Sequence, residues 1–168
     1  KTVEKTKEAD VLLTRKDHEG TVYLTLNRPA QFNALSEELL TVLQEELGLI
    51  AEDESCRLVI LAGAGKSFSA GADLDWMKRS AEYAFDENLT EARRLAEMIR
   101  RLDTLPMPTI ALVQGAAIGG GVGLVAACDM ALAADATVFS FSEVKLGIIP
   151  SVISPYALRA IGERAAGR

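Results

Sequence analysis

The chain has 168 residues, 49% of them hydrophobic and 25% charged, and a formal net charge of −6. That length and balance suit one globular domain with an ordinary core. The acidic sign argues against a nucleic-acid binder, which needs a basic face to meet phosphates, and leaves an anionic small ligand open, since a helix N-terminus or a few local cations hold one.

Residues 1–10 are charged and polar, unlike a secretory signal, and read as a flexible arm ahead of a core over residues 11–168. No apolar run reaches the length of a membrane span, so no membrane is expected and the cytoplasm is the expected location. Val11 to Arg15 and Thr21 to Leu26 are β-rich runs around a polar Lys16 to Gly20, an opening hairpin. The single histidine, His18, falls in that turn, which argues against Ser-His-Asp chemistry and against a histidine metal site. Ser36 to Asp53 reads as a helix: Leu39, Leu40, Leu43, Leu47, Ile50 and Ala51 recur at helical spacing behind a Ser36 N-cap, with Glu37 and Glu38 in the first turn.

Leu58 to Leu61 is a continuous apolar run, as in a buried parallel strand, and a glycine-rich loop, Gly63 to Gly71, comes after it. Glu87 to Asp103 forms an amphipathic helix, stopped by Pro106 and Pro108. Thr109 to Val113 is a second buried strand, succeeded by a second glycine-rich loop, Gly115 to Gly121, and a small-residue helix through Cys128. Met130 to Ala134 and Val138 to Phe141 are short strands, and Pro155 to Ala166 is a final helix. Strands alternating with helices predict an α/β fold. In such folds ligands sit beyond the carboxyl ends of strands, which makes the two glycine loops candidates for one shared site.

Three chemistries compete for those loops. Gly65-Lys66-Ser67 resembles the end of a phosphate-binding loop, but that pattern needs a glycine where Ile60 stands, and a surface turn is the alternative. Gly121-x-Gly123-x-x-Ala126, with Glu143 beyond, loosely matches a dinucleotide fingerprint. Gln114 to Gly120 intervene where a tight strand-to-helix turn belongs, and close packing of a glycine-rich helix is the alternative. The third reading joins Ser69-Ala70-Gly71-Ala72-Asp73-Leu74 with Gly119-Gly120-Gly121: bare backbone N–H groups from both loops converge on one carbonyl oxygen as an oxyanion hole. An enolate formed there needs a proton donor or acceptor at its α-carbon. Glu143, near Phe141 and Val144, is the best single candidate, because burial disfavours a carboxyl's charged form and keeps it available for proton exchange near neutrality. The alternative is an exposed carboxylate at a strand end. Cys56 and Cys128 lack metal-ligand spacing and read as buried small hydrophobes in a reducing compartment; no metal is expected.

Motifs in register along the chain point further. They are Leu26-Asn27-Arg28-Pro29 with Asn33-Ala34-Leu35, Phe68 to Asp73, Gln114 to Gly121, Cys128-Asp129, and Ser142 to Pro150. Together they resemble the crotonase, or enoyl-CoA hydratase/isomerase, superfamily over nearly the whole chain after residue 10. The resemblance implies a spiral of repeated ββα units and an acyl-CoA substrate, with the N–H groups of Ala72 and Gly120 on the thioester oxygen. It implies that Ala30, Phe32, Ala70, Asp73 and Leu74 lie along the coenzyme, and that Glu143 matches one of two catalytic glutamates. The position of the other glutamate holds Gly123, so the usual two-carboxylate hydration is missing, and the absent side chain is expected to leave room in the site. No cofactor is implied, coenzyme A being part of the substrate. A homotrimer or dimer of trimers is implied, as is a further C-terminal helical segment that the sequence lacks. Pro150 to Tyr156 and Ala160 to Arg164 resemble a bacterial branch of methylglutaconyl-CoA hydratases of leucine degradation. The expected reaction is hydration of an enoyl-CoA; an enoyl-CoA isomerase with one glutamate, or a non-catalytic acyl-CoA-binding relative, is the alternative.

Overall fold

The computed structural model describes residues 10–167. The expected arm over residues 1–10 lies outside the described residues except for Asp10, whose carbonyl accepts a 2.9 Å hydrogen bond from Asn27 Nδ2. Strands β1 (Leu12–Lys16) and β2 (Thr21–Leu26) form the expected antiparallel hairpin, with Leu12 opposite Leu26. Asp17 shapes its turn, accepting from the N–H groups of Glu19 and Thr21 at 2.9 Å, and His18 sits there exposed. Along β2 the burial alternates with period two and sends Val22, Leu24 and Leu26 into the core. Helix α1 (Glu37–Glu52) starts where the sequence places it, with Ser36 Oγ accepting from Leu39 N at 3.2 Å. Its stripe of Leu39, Leu40, Leu43, Leu47 and Ile50 is buried, each side chain worth about 2 kcal/mol of transfer free energy.

Strand β3 (Leu58–Gly63) runs parallel to β2 and opens into the first glycine loop. The loop leads to a helix that the sequence pattern does not announce, α2 (Leu74–Ser80), and then to α3 (Phe85–Asp103), which begins two residues earlier than Glu87. Strand β4 (Thr109–Val113) runs parallel to β3. The second glycine loop is not all loop: Ala116–Ile118 is a strand, β5, and helix α4 (Gly120–Ala127) starts directly behind it. Strands β6 (Met130–Ala133) and β7 (Val138–Ser140) each end one residue before their expected ends. The final helix is divided into α5 (Ser154–Ile161) and α6 (Glu163–Ala166), because Gly162 between them adopts φ 78° and carries the chain out of the helical region.

The strands form a five-stranded sheet in the order β1-β2-β3-β4-β6, antiparallel only between β1 and β2, and a second parallel pair, β5-β7. The resemblance's repeated ββα units are visible in this pairing. One strand of each unit, β2, β3, β4 and β6 in turn, enters the large sheet. The next segment of the unit enters the smaller layer, where Ser69 bridges Ala117 of β5 and β5 pairs with β7. Helices α1 and α3 pack on each other, and α4 is buried along its length beneath α3 and α5. No helix among the described residues is long and apolar enough to cross a membrane.

Candidate active site

The two glycine loops are laced together by main-chain hydrogen bonds. Phe68 N donates to Gln114 O, Ser69 N to Ala116 O and Ile118 N to Ser69 O, at 2.9, 3.1 and 2.9 Å. Beneath them lies Asn33, a fully buried polar side chain. Its Nδ2 donates to the carbonyls of Ala64 and Ser67, both at 2.8 Å, and its Oδ1 accepts from Arg28 N at 2.9 Å. Buried Ser69 extends the network, donating to Asn33 O at 2.9 Å and accepting from Gly71 N at 3.3 Å. A buried polar group is tolerable only when so satisfied, and here satisfaction fixes the loop. The sequence shows Asn33 within a motif but not this role, because its partners are backbone atoms remote along the chain.

At Gly71 and Gly119 the chain takes φ 87° and 49°, the left-handed region that side chains resist. Any side chain at Gly71 would also strike Ile118 O, 2.8 Å from the position of its Cβ. The two turns set the direction of the next residue in each loop, Ala72 in one and Gly120, the first residue of α4, in the other. Neither the Ala72 nor the Gly120 N–H meets an acceptor among the described residues. Both residues line one cavity of about 260 Å³, together with Ala70, Leu74, Trp76, Leu95, Glu143 and Ile153.

Glu143 is not at the end of a strand. It begins a 3-10 turn, Glu143–Leu146, after β7, and its side chain folds back half-buried. A Cβ on Gly119 would lie 2.8 Å from Glu143 Oε1, so the carboxyl rests directly on the glycine that precedes Gly120. Its Oε2 is buried and has no hydrogen-bond partner among the described residues. A buried carboxylate oxygen without a partner costs free energy and marks a group held for something other than stability. Glu143 is the one ionisable side chain among the described residues lining the cavity.

The other expected site residues divide. Ala70 and Leu74 line the cavity, and Ala70 N donates to Phe32 O at 2.9 Å, which places exposed Phe32 beside them. Ala30 lies exposed in a short 3-10 turn, Pro29–Gln31, outside the cavity wall. The carboxylate of Asp73 is already engaged. Its Oδ1 caps α2 through the N–H groups of Asp75 and Trp76, and its Oδ2 pairs with Arg28 Nη2 at 2.8 Å. Burial raises the Asp73 carboxyl, but the Arg28 hydrogen bond, the two α2 N–H groups and the Arg28 charge outweigh it and hold the group below the usual carboxylate range.

The expectation of room at Gly123 is corrected. A Cβ there would overlap the Cγ2 methyl of Ile153 and lie 3.0 Å from Ile153 Cβ and 3.2 Å from Ile99 Cδ1. Ile153 already occupies the space of the missing side chain. The phosphate-loop reading also fails. No helix starts behind Lys66-Ser67, since α2 begins only at Leu74, and Gly65 and Lys66 are an exposed turn whose carbonyl at Gly65 is bonded by Gln114 Nε2 at 3.1 Å. The dinucleotide reading fails because Gly121 and Gly123 lie inside α4, packed against Ser69 and Ile153, and not in a turn open to a ligand. Cys56 is buried as expected, whereas Cys128 is half-buried; both are free thiols, and burial pushes that of Cys128 up to about 12.

A family model described as enoyl-CoA hydratase/isomerase matches residues 16–168. The chain belongs to that family. A crystal structure of an enoyl-CoA hydratase from Shewanella pealeana superposes with a TM-score of 0.92 at 43% identity, covering 96% of this chain and 60% of that one. The short-chain-enoyl-CoA hydratase of Clostridium acetobutylicum is 39% identical over 140 residues, 80% of this chain and 51% of the relative. The 1,2-epoxyphenylacetyl-CoA isomerase of Escherichia coli is 35% identical over 147 residues, 87% of this chain and 56% of the relative. The chain therefore spans about half the length of these curated relatives, and the α/β architecture is that of crotonase structures.

Proposed function

We propose that the complete protein is an acyl-CoA-processing lyase that adds water across the double bond of an α,β-unsaturated enoyl-CoA thioester. Ala72 and Gly120, whose N–H groups have no acceptor among the described residues, and Glu143 line a single apolar cavity, and this carries the reading. In the proposed step the water oxygen bonds to the β-carbon, and the double-bond electrons move toward the thioester oxygen. The two N–H groups and the N-terminus of α4 stabilise the charge that develops there. Glu143 takes a proton from the water and returns one to the α-carbon, so that water has been added and the carboxyl is unchanged. Ala30, Phe32, Ala70, Asp73 and Leu74 belong to the proposal as the coenzyme side, with Asp73 acting through its cap and ion pair. The chemistry calls for no cofactor beyond the coenzyme A of the substrate. The resemblance alone supports a homotrimer or dimer of trimers.

The proposed acyl group is methylglutaconyl, on the likeness of the Pro150 to Tyr156 and Ala160 to Arg164 stretches to that branch. The described cavity wall offers its distal carboxylate no lysine or arginine, only the hydroxyls of Ser142 and Ser151 among charged or hydroxylic partners other than Glu143. The occupied space at Gly123 favours a second reading, an isomerase in which Glu143 alone shuttles the α- and γ-protons. The full-length protein is assayed on methylglutaconyl-CoA and crotonyl-CoA with products identified by mass. The lyase reading expects a hydroxyacyl-CoA and a kcat/KM at least about 10-fold higher on methylglutaconyl-CoA, the scale on which apolar pockets discriminate. A preference for crotonyl-CoA rejects the substrate, and double-bond migration without water uptake moves the activity to the isomerase.

A further inference from the structure

Gly123 lies in the buried middle of α4, and the turn Pro150 to Ile153 ahead of α5 lies over it. The turn is tightly held: Ile153 N, Ser154 N and Ser154 Oγ all donate to Pro150 O, at 3.2, 2.9 and 2.8 Å. From it Ile153, only 3% exposed, reaches into the space that a side chain at Gly123 would need. A β-branched side chain has little χ1 freedom, so a residue seated this way is stiff. Ile153 also lines the cavity that holds Glu143, with Pro150, Ser151 and Val152 of the same turn. The cavity, at about 260 Å³, is small for a ligand site, and the volume of one isoleucine is a large share of what it can admit.

We infer that Ile153, seated in the socket of Gly123, is the residue that determines which acyl groups the site accepts. The inference rests on the reading that the cavity holds the acyl end of a coenzyme-A thioester. Glycine at 123 lets Ile153 sit deep; any larger residue there drives Ile153 and its turn toward the acyl group. Truncating Ile153 opens the wall, and filling the socket closes it. The two residues therefore act as one size gauge, and their effects on substrate choice are coupled because they are in contact.

The test measures kcat/KM of the full-length protein and its variants on a series of enoyl-CoA thioesters of increasing chain length and branching. Ile153→Ala is expected to shift the preference toward acyl groups one or two carbons larger by about 10-fold, the discrimination carried by a methylene in an apolar pocket. Ile153→Val, which removes one methyl and keeps the fold safer, shifts it the same way by a smaller factor. Gly123→Ala is expected to shift it the opposite way, and Gly123→Ala/Ile153→Ala to return the profile toward that of the unaltered protein. A substrate ratio unchanged within about 2-fold in folded Ile153→Ala and Ile153→Val proteins overturns the inference while leaving the acyl-CoA reading intact. Loss of turnover on all substrates alike, without a change of preference, also overturns it, because a purely structural role acts that way. If the unaltered protein neither binds nor turns over any enoyl-CoA, calorimetric titration with the same series shows it, and the functional reading falls together with the inference.

Discussion

Glu143 has one buried oxygen with no hydrogen-bond partner among the described residues and a carboxyl pressed against Gly119, so its reach is set by a neighbour that has no side chain to hold it. Glu143→Gln preserves the shape and removes proton exchange; turnover is expected to fall at least about 100-fold with substrate affinity little changed, read from kcat and KM. Near-normal turnover in that variant removes Glu143 from the chemistry. The Arg28–Asp73 pair is a different kind of group. Neither residue lines the cavity, but Asp73 comes right after Ala72 and its own N–H donates to Leu35 O at 3.0 Å, so the pair steadies the loop that presents the Ala72 N–H. Because the folded Asp73 carboxyl is lowered, its contribution to stability is present above the unfolded carboxylate range, near pH 4, and is lost as pH falls through the folded value. Asp73→Asn is therefore expected to lower the melting temperature at pH 7 and to differ less from the unaltered protein at pH 2–3. An unchanged gap between the two at acid pH contradicts the ion-pair account.

At the scale of elements, α4 is the one that admits no addition. Seven consecutive residues from Gly121 to Ala127 are buried, and the space that a side chain at Gly123 would need is filled by Ile153. Gly123→Glu is expected to destabilise the protein by at least about 2 kcal/mol, through overpacking and an unpaired buried charge, and not to create a second acid–base group. Denaturant melts and turnover of the same sample measure both consequences; a stable and more active variant would refute the packing argument. This contact was not legible in the sequence, which shows only that a side chain is missing and not which distant one has moved in. What was legible had local causes. The leucine stripe and Ser36 cap place α1 to within a residue, and the apolar runs place β3 and β4. Helix α2 escaped notice because only Trp76 on it is buried, so it carries no apolar period. Strand β5 escaped because three residues between glycines look like loop until their partners, Ser69 and β7, are known. Oxyanion-hole chemistry joins the two glycine loops and Glu143 at the level of sequence, and the resemblance singles out Ala72 and Gly120 within the loops, while their common cavity depends on contacts between units that no local pattern records.

Over the whole molecule, burial is uneven. The core runs from β1 to α4 and takes in Ile153 and Ala157 beyond it, whereas β6, β7 and the turn after them leave Met130, Leu132, Val138, Phe139 and Ile149 exposed, Leu132 by 62%. Exposed apolar side chains beside an open strand edge promote association. Expressed as residues 1–168 alone, the chain is expected to show a hydrodynamic size that rises with concentration, and Leu132→Lys to reduce that rise; a concentration-independent monomer in light scattering would show the face to be harmless. The lacing of the two glycine loops has a consequence of another sort. Hydrogen–deuterium exchange reads main-chain amides one by one, and here it would meet a sharp contrast. The amides of Phe68, Ser69 and Ile118 are locked between the loops and open only when the layer itself comes apart, whereas those of Ala72 and Gly120, a few residues away, have nothing to let go of. They should trade their hydrogens early in the free protein and late once a thioester carbonyl is present, a slowing confined to two positions in a region already slow around them.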